Sequence, residues 1–323
     1  MAKDLRIIYM GTPEFAVEPL RVLIKNNKNV VAVITAPDKP AGRGKKLQSS
    51  AIKNFATENN LPVLQPTNLK DDSFIEELKA YKADLQIVVA FRMLPEKVWD
   101  MPKLGTFNLH ASLLPQYRGA APINWAVING EKETGVTTFF LQHEIDTGDI
   151  ILQKKVSIEN DDNAGSVHDK LMVLGGKTVL ETVNLVENKK HQSFAQDTII
   201  NEQNMNLKPA PKIFKNDCLI NWDESTYTVH NKIRGLSPYP AAYTRIKDKN
   251  NKEIILKIFK TEVCDEVEKH PNGTIITDGK TFIKTVTNNG ILNILEVQLA
   301  GKKRMSTRNF LLGNPLENLS KMY

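Results

Sequence analysis

Four aliphatic and β-branched runs, Leu5–Met10, Val30–Ala36, Pro62–Leu64 and Leu85–Phe91, alternate with helix-period segments at the start of this chain. No other feature restricts the fold so strongly. The runs lack polar alternation, as parallel strands covered on both faces do. Between them lie three segments expected as helices: Pro13–Lys25 with proline near its start, Ser49–Asn59 with serine at the cap position, and Asp71–Tyr81 with an acidic first turn. This βαβαβαβ succession predicts an α/β domain built on a doubly wound, Rossmann-like parallel sheet. Gly105–Ala111 and Gly135–Gln142 supply further strands and Ala164–Val186 a closing helix, so the domain is expected over residues 1–187.

A chain of 323 residues exceeds what one core usually serves, and the pattern changes after residue 187. Residues 188–206 are polar, with Lys189, Lys190 and His191 together, and read as a linker. Over 207–323, short strand candidates at Ala242–Ile246, Glu253–Phe259, Gly273–Thr277, Thr281–Thr287 and Ile291–Gln298 are separated by turn signals such as Asp278-Gly279 and Asn288-Asn289-Gly290. A smaller C-terminal OB-like β-barrel domain is the expectation.

Charge follows the same division. Residues 1–200 hold 24 basic and 24 acidic side chains, whereas 201–323 hold 19 and 13, so the net +6 of the chain lies entirely in its last third. The neutral part still contains one dense basic segment, Lys39-Pro40-Ala41-Gly42-Arg43-Gly44-Lys45-Lys46. Alone, such a run is an ordinary solvated loop; two basic regions in one chain suit a polyanion, which is bound by summing phosphate contacts. The two cysteines, Cys218 and Cys264, are too few for a disulfide framework and form no C-x-x-C pair, which argues for a reducing compartment and against structural zinc. No apolar run reaches membrane-spanning length, and no signal core precedes the first strand, so no membrane partner and a cytoplasmic location are expected.

The first βα turn, Met10-Gly11-Thr12-Pro13, holds one glycine where a dinucleotide fingerprint needs three; Asp38 could mimic a ribose-binding acid, but without those glycines a nicotinamide cofactor is not supported. The segment Phe107–Ala111 carries more. If it is extended, its period of two turns Asn108 and His110 to one face at the carboxyl end of a strand, where open α/β sheets place their sites. Either side chain alone would be an ordinary structural residue. With Asp146 in the polar turn His143–Asp149, they suit acyl transfer: an amide donor for an oxyanion, a proton carrier, and an acid to orient it. His143-Glu144 lacks the second histidine of a zinc-protease helix, and there is no G-x-S-x-G elbow.

Asn108-x-His110-x-Ser112-Leu113-Leu114-Pro115, then Tyr117-Arg118-Gly119-Ala120-Ala121-Pro122-Ile123, then Asp146-Thr147-Gly148-Asp149 resemble, in order, the signature of the formyltetrahydrofolate-dependent formyltransferases. Gly11-Thr12-Pro13-Glu14-Phe15-Ala16, the basic segment from Pro40 to Lys46, and Ala300-Gly301-Lys302-Lys303-x-Met305 narrow the resemblance to the branch of that family that uses methionyl-tRNA. It runs from about residue 5 to about residue 312.

The resemblance implies a doubly wound domain that takes 10-formyltetrahydrofolate as cosubstrate, with no metal, and an OB-like domain that helps to hold tRNA. The formyl group would pass to the α-amine of methionine on initiator methionyl-tRNA. Carried over residue by residue, Asn108, His110 and Asp146 are the catalytic trio, Ser112, Leu113, Leu114 and Pro115 contribute to the folate site, and the loop with Arg43, Lys45 and Lys46 approaches the acceptor stem of the tRNA. Lys302, Lys303 and Arg304, alongside Lys208, Lys212 and Arg234, are expected to extend that basic track on the barrel. A monomer is expected. Phe91-Arg92 stands where the family usually has Tyr-Gly, and Ala111 replaces a common glycine. Two other readings share these residues: a sugar-nucleotide N-formyltransferase, against which the basic regions speak, and a nucleic-acid-binding module on an inactive scaffold, against which the intact trio speaks.

Overall fold

Ile7–Gly11 forms a strand with every residue buried, and the α/β elements assemble around it. A computed structural model describes residues 5–41, 46–247, 252–266, 269–314, 316 and 320–323. The chain runs through β1 (Ile7–Gly11), α1 (Val17–Lys25), β2 (Val30–Ile34), the short strands β3 (Lys39–Ala41) and β4 (Lys46–Gln48), α2 (Ala51–Glu58), β5 (Val63–Leu64), α3 (Asp72–Ala80), β6 (Leu85–Val89), α4 (Glu96–Trp99) and β7 (Thr106–His110). It continues through α5 (Pro122–Ile128), β8 (Glu133–Phe140), β9 (Ile150–Ser157), α6 (Ala164–Glu187) and α7 (Gln196–Gln203). Then follow α8 (Thr226–Gly235), β10 (Ala242–Lys247), β11 (Glu253–Cys264), β12 (Ile275–Thr277), β13 (Ile283–Thr287), β14 (Gly290–Leu299), β15 (Met305–Ser306) and α9 (Thr307–Gly313). The chain divides into two compact units: Met1–Gly119 with Thr134–Val156 and His168–Pro209, and Ala120–Glu133 with Ser157–Val167 and Ala210–Tyr323.

The first unit holds a seven-stranded sheet in the order β5-β2-β1-β6-β7-β8-β9. From β5 to β7 all pairs are parallel, as the apolar runs predict; β8 then pairs antiparallel with β7, making the sheet mixed. The strand order reverses between β1 and β6, and there the carboxyl ends open on a cleft of about 610 Å³ lined by Thr12, Pro13, Ala36, Pro37, Lys39, Thr67, Ala90 and Arg92. Gly11 ends β1 without a side chain because a Cβ there would lie 2.5 Å from that of Ala16. The lone glycine of the first turn thus serves close packing. Asp38 is held by Lys53 Nζ at 2.6 Å and Gln65 Nε2 at 2.8 Å, so it presents no free acid to a ribose.

Residues 188–206 contain more than a tether. Phe194 and Ile150 exchange backbone hydrogen bonds, each 2.9 Å long, and α7 follows, its Ile199 packing on Leu114, Phe139 and Ile150. Polar composition hid the helix because Gln196, its buried residue, is itself polar.

The second unit is an OB-like half-barrel: an antiparallel sheet in the order β10-β11-β14-β13-β12, with β15 added to β14. Alternate strand residues, including Leu256, Ile258, Ile283, Leu292 and Ile294, bury into one core with Val229 and Ile233 of α8. Ser225 caps α8 by accepting from the Thr228 amide, and Trp222 inside the core donates its indole N–H to Thr244 Oγ1 at 3.0 Å. No helix among the described residues is long and apolar enough to cross a membrane.

Candidate active site

β7 pairs with β6 through Val88↔Asn108 and with β8 through His110↔Thr137, and this register fixes both candidate side chains on one face at the carboxyl end of the strand. The Asn108 carboxamide, half-buried, has no hydrogen-bond partner among the described residues, which leaves its N–H groups for a ligand. His110 is 7% exposed and its Nε2 lies 2.8 Å from the carbonyl oxygen of Tyr117. A carbonyl only accepts, so Nε2 carries the hydrogen, and Nδ1 is the atom that gains or loses a proton. That Nδ1 faces Asp146 Oδ2 at 3.9 Å, an ion-pair separation rather than a hydrogen bond. The structure therefore brings all three expected trio residues together. It also narrows one role: with Nε2–H donated to Tyr117, His110 can offer an oxyanion only the Nδ1–H it gains on protonation, and Asn108 is the donor available throughout.

Asp146 sits in the left-handed region at φ +56°, a conformation that Asp tolerates better than most residues. Several bonds hold it. Its Oδ2 accepts the Gly119 amide at 2.9 Å, and Gln196 Nε2 donates to the carbonyls of Asp146 at 2.9 Å and Gly148 at 2.8 Å. Gly148 is required by proximity: a Cβ there would stand 1.7 Å from the Phe140 carbonyl oxygen. The Asp146-Thr147-Gly148-Asp149 motif is thus a carboxylate on a turn folded flat against the end of β8. Arg118 closes the arrangement, donating from Nε and Nη2 to Gln196 Oε1 at 3.0 and 2.7 Å. Arg118 and Gly119 lie inside a motif that marked them; Gln196 lies in a segment whose polarity reads as linker, and only its burial reveals it.

The four residues expected at a folate site divide. Ser112 is fully buried and its hydroxyl donates to Gln116 O at 2.7 Å, Leu114 is buried with Phe139 and Ile150, and Pro115 is buried beside it. These three shape the loop, which is tied to β8 through Thr137 Oγ1, donating to Ser112 O and accepting from the Leu114 amide. Of the four, Leu113 alone is partly exposed. Arg92, the departure from the family pattern, turns its guanidinium onto the carbonyls of Pro66 and Thr67.

Among the residues expected to meet tRNA, Arg43 and Lys45 lie outside the described residues, as does the side chain of Lys46. Their flanks, β3 and β4, pair antiparallel through Lys39↔Gln48 and Ala41↔Lys46. Lys302 and Lys303 are exposed in the turn between β14 and β15. Arg304 is engaged with Glu296 and stacks over Phe259, and Lys212 lies over the Phe214 ring. Arg234 does not belong to a surface track: it is 8% exposed, and its guanidinium donates to Asn231 Oδ1 at 2.8 Å and to the Asp162 carbonyl at 2.9 Å. A cation that looks like a phosphate contact in sequence is a buried strut of the second unit.

Comparison with known proteins places the chain. Residues 5–183 match the Formyl transferase family and residues 212–315 the family described as Formyl transferase, C-terminal domain. A protein named methionyl-tRNA formyltransferase in Bacteroides thetaiotaomicron is 57% identical over 99% of this chain and 99% of its own. One of the same name in Flavobacterium johnsoniae is 54% identical, over 99% of this chain and all of its own. Among solved structures, an N-formyltransferase from Helicobacter canadensis shares the fold with a TM-score of 0.64 at 20% identity, over 93% of this chain and 100% of that one. A sugar 3N-formyl transferase does so with a TM-score of 0.63 at 21% identity, over 93% of this chain and 100% of that one. The chain, with both matched segments present and in order, belongs to the formyl transferase family, among the relatives named methionyl-tRNA formyltransferase.

Proposed function

We propose that this protein transfers the formyl group of 10-formyltetrahydrofolate to the α-amine of initiator methionyl-tRNA, with Asn108, His110 and Asp146 as the catalytic groups. The observation that carries the reading is that one strand face presents a carboxamide with no partner among the described residues and an imidazole whose Nδ1 can take a proton, with a carboxylate 3.9 Å from that Nδ1. The cosubstrate supplies a formyl carbon already activated by its nitrogen. Asn108 donates to the formyl oxygen as negative charge develops there when the neutral amine attacks; such a donor contributes ~10²–10³ in rate. His110 accepts the proton released by the amine at Nδ1, where Asp146 stabilises the resulting imidazolium, and returns it to the departing nitrogen. The proposed route uses neither a metal nor a covalent intermediate.

Residues 1–187 serve as the catalytic domain in this reading, residues 207–323 as the tRNA-holding domain, and the buried Ser112, Leu114 and Pro115 set the loop from which Leu113 meets the folate. Arg43, Lys45 and Lys46 hold the acceptor end, and the exposed Lys302 and Lys303 extend the contact. The names of the relatives at 57% and 54% identity support the acceptor. The protein is read as a cytoplasmic monomer. The discriminating experiment offers labelled 10-formyltetrahydrofolate with either charged initiator tRNA or an amino-sugar nucleotide. Label is expected on the methionyl-tRNA alone; label on the sugar nucleotide alone would replace this reading with the alternative.

A further inference from the structure

Gln196 stands fifty residues from Asp146 in the chain, yet its side chain bonds two carbonyls of the turn that carries the carboxylate. It is 1% exposed at the start of α7. Its Nε2 uses both hydrogens, on the carbonyls of Asp146 and Gly148, while its Oε1 takes two from Arg118. The chain places it there deliberately: the backbone pairing of Phe194 with Ile150 sets the approach two residues earlier, and Ile199 seats the helix on the cluster that includes Leu114. Asp146 is a non-glycine residue at positive φ, and a backbone in that region persists only where its surroundings over-determine it. The Gly119 amide restrains the carboxylate end, at Oδ2, whereas Gln196 restrains the backbone end, at the carbonyl.

We infer that Gln196 is a positioning residue for formyl transfer: through its two carbonyl contacts it fixes the Asp146 turn, and hence the 3.9 Å approach of the carboxylate to His110 Nδ1. The inference rests on the function proposed above. It makes residues 188–206 a working part of the site, and Arg118 the group that orients the carboxamide so that its nitrogen, and not its oxygen, faces the turn. Misplacement of a catalytic group by about 1 Å from a change outside the chemistry costs on the order of 10²-fold.

Gln196→Met retains length and shape but neither donates nor accepts as an amide does. Gln196→Glu retains an acceptor for Arg118 and sets a carboxylate against two carbonyls. For Gln196→Met, kcat for formyl transfer is expected to fall about 10- to 100-fold with KM for both substrates within about twofold. For Gln196→Glu the deficit in kcat should shrink as pH falls, because the protonated acid regains one donor; a purely structural role would lower Tm and leave kcat, read well below that Tm, unchanged. Amide exchange at Gly119 and at 146–149, measured on the same proteins without substrates, should quicken in Gln196→Met. A kcat within twofold of wild type, or unchanged protection of those amides, overturns the inference. Should the wild-type chain itself fail to formylate methionyl-tRNA, the proposed function falls, and the exchange measurement still decides whether Gln196 holds the turn.

Discussion

Gly148→Ala tests the link between chain geometry and chemistry most severely, because one methyl group meets rigid backbone. The new Cβ would lie 1.7 Å from the Phe140 carbonyl oxygen and 3.2 Å from Phe139 Cδ2, where ordinary contact begins at 3.4 Å. Phe140 cannot yield: it pairs with Phe107 in the sheet, and the adjacent Phe139 is 1% exposed. The turn must therefore retreat by about 1.7 Å, carrying Asp146 from His110 and Gly148 O from Gln196, now 2.8 Å away. Overpacking costs ~1–3 kcal/mol and the lost hydrogen bond ~1 kcal/mol. Together they amount to about 2–4 kcal/mol, or a Tm lower by roughly 5–10 °C. The rate should fall by about 10²-fold, about 2.7 kcal/mol of barrier and so comparable with the stability loss, since a misplacement of even ~1 Å at a catalytic group costs that much. Single-turnover formyl transfer at a temperature well below the variant's Tm, with a thermal melt alongside, reads both effects. A rate within about threefold of wild type, at any Tm, would refute the claim that this turn positions a catalytic group.

Other perturbations separate the tRNA contacts from the scaffold. Arg234→Met removes a buried guanidinium and strands the Asp162 carbonyl; it should destabilise the protein by about 2–4 kcal/mol in denaturant unfolding and leave the salt dependence of tRNA binding unchanged. Arg43→Ala and the pair Lys302→Ala with Lys303→Ala should do the reverse, each lost phosphate contact lowering the slope of log Kd against log salt by about 1 with little change in Tm. His230 gives a pH prediction: burial first, and then the neighbouring Arg234 charge, push its pKa down to about 4. The unfolded chain then binds a proton below pH ~6.5 that the folded one resists, so stability should fall as pH drops from about 6.5 to about 4. Melts of His230→Gln over that range should show a flatter dependence.

How much of this is legible in the sequence depends on whether the deciding interaction is local. The strands β1, β2 and β6 are local statements, apolar runs buried on both faces, and the structure returns them within a few residues. The shared face of Asn108 and His110 follows from the period of two alone. β9 escaped because, after Ile150 and Ile151, it is an edge strand in which Gln153, Lys154, Lys155 and Ser157 outnumber Leu152 and Val156 and none of these residues is fully buried. Arg234 and Gln196 escaped for a different reason. Their partners, Asp162 and Asp146, lie 72 and 50 residues away, and nothing beside a polar residue announces that distant carbonyls will bury it. Ser112 is a milder case: the motif marks the position, yet its hydroxyl serves the loop's own Gln116 carbonyl.

The central claim is that the three groups at the ends of β7 and β8 transfer a formyl group to the amine of methionyl-tRNA. Its most direct test is the single-turnover rate of label transfer from 10-formyltetrahydrofolate to charged initiator tRNA by the wild-type chain and by His110→Ala, with tRNA affinity measured on both. The account predicts N-formylmethionine, recovered on ester hydrolysis, from the wild type, and a rate lower by about 10²–10³-fold for His110→Ala at nearly unchanged affinity. No transfer by the wild type, or an undiminished rate in the variant, would contradict it.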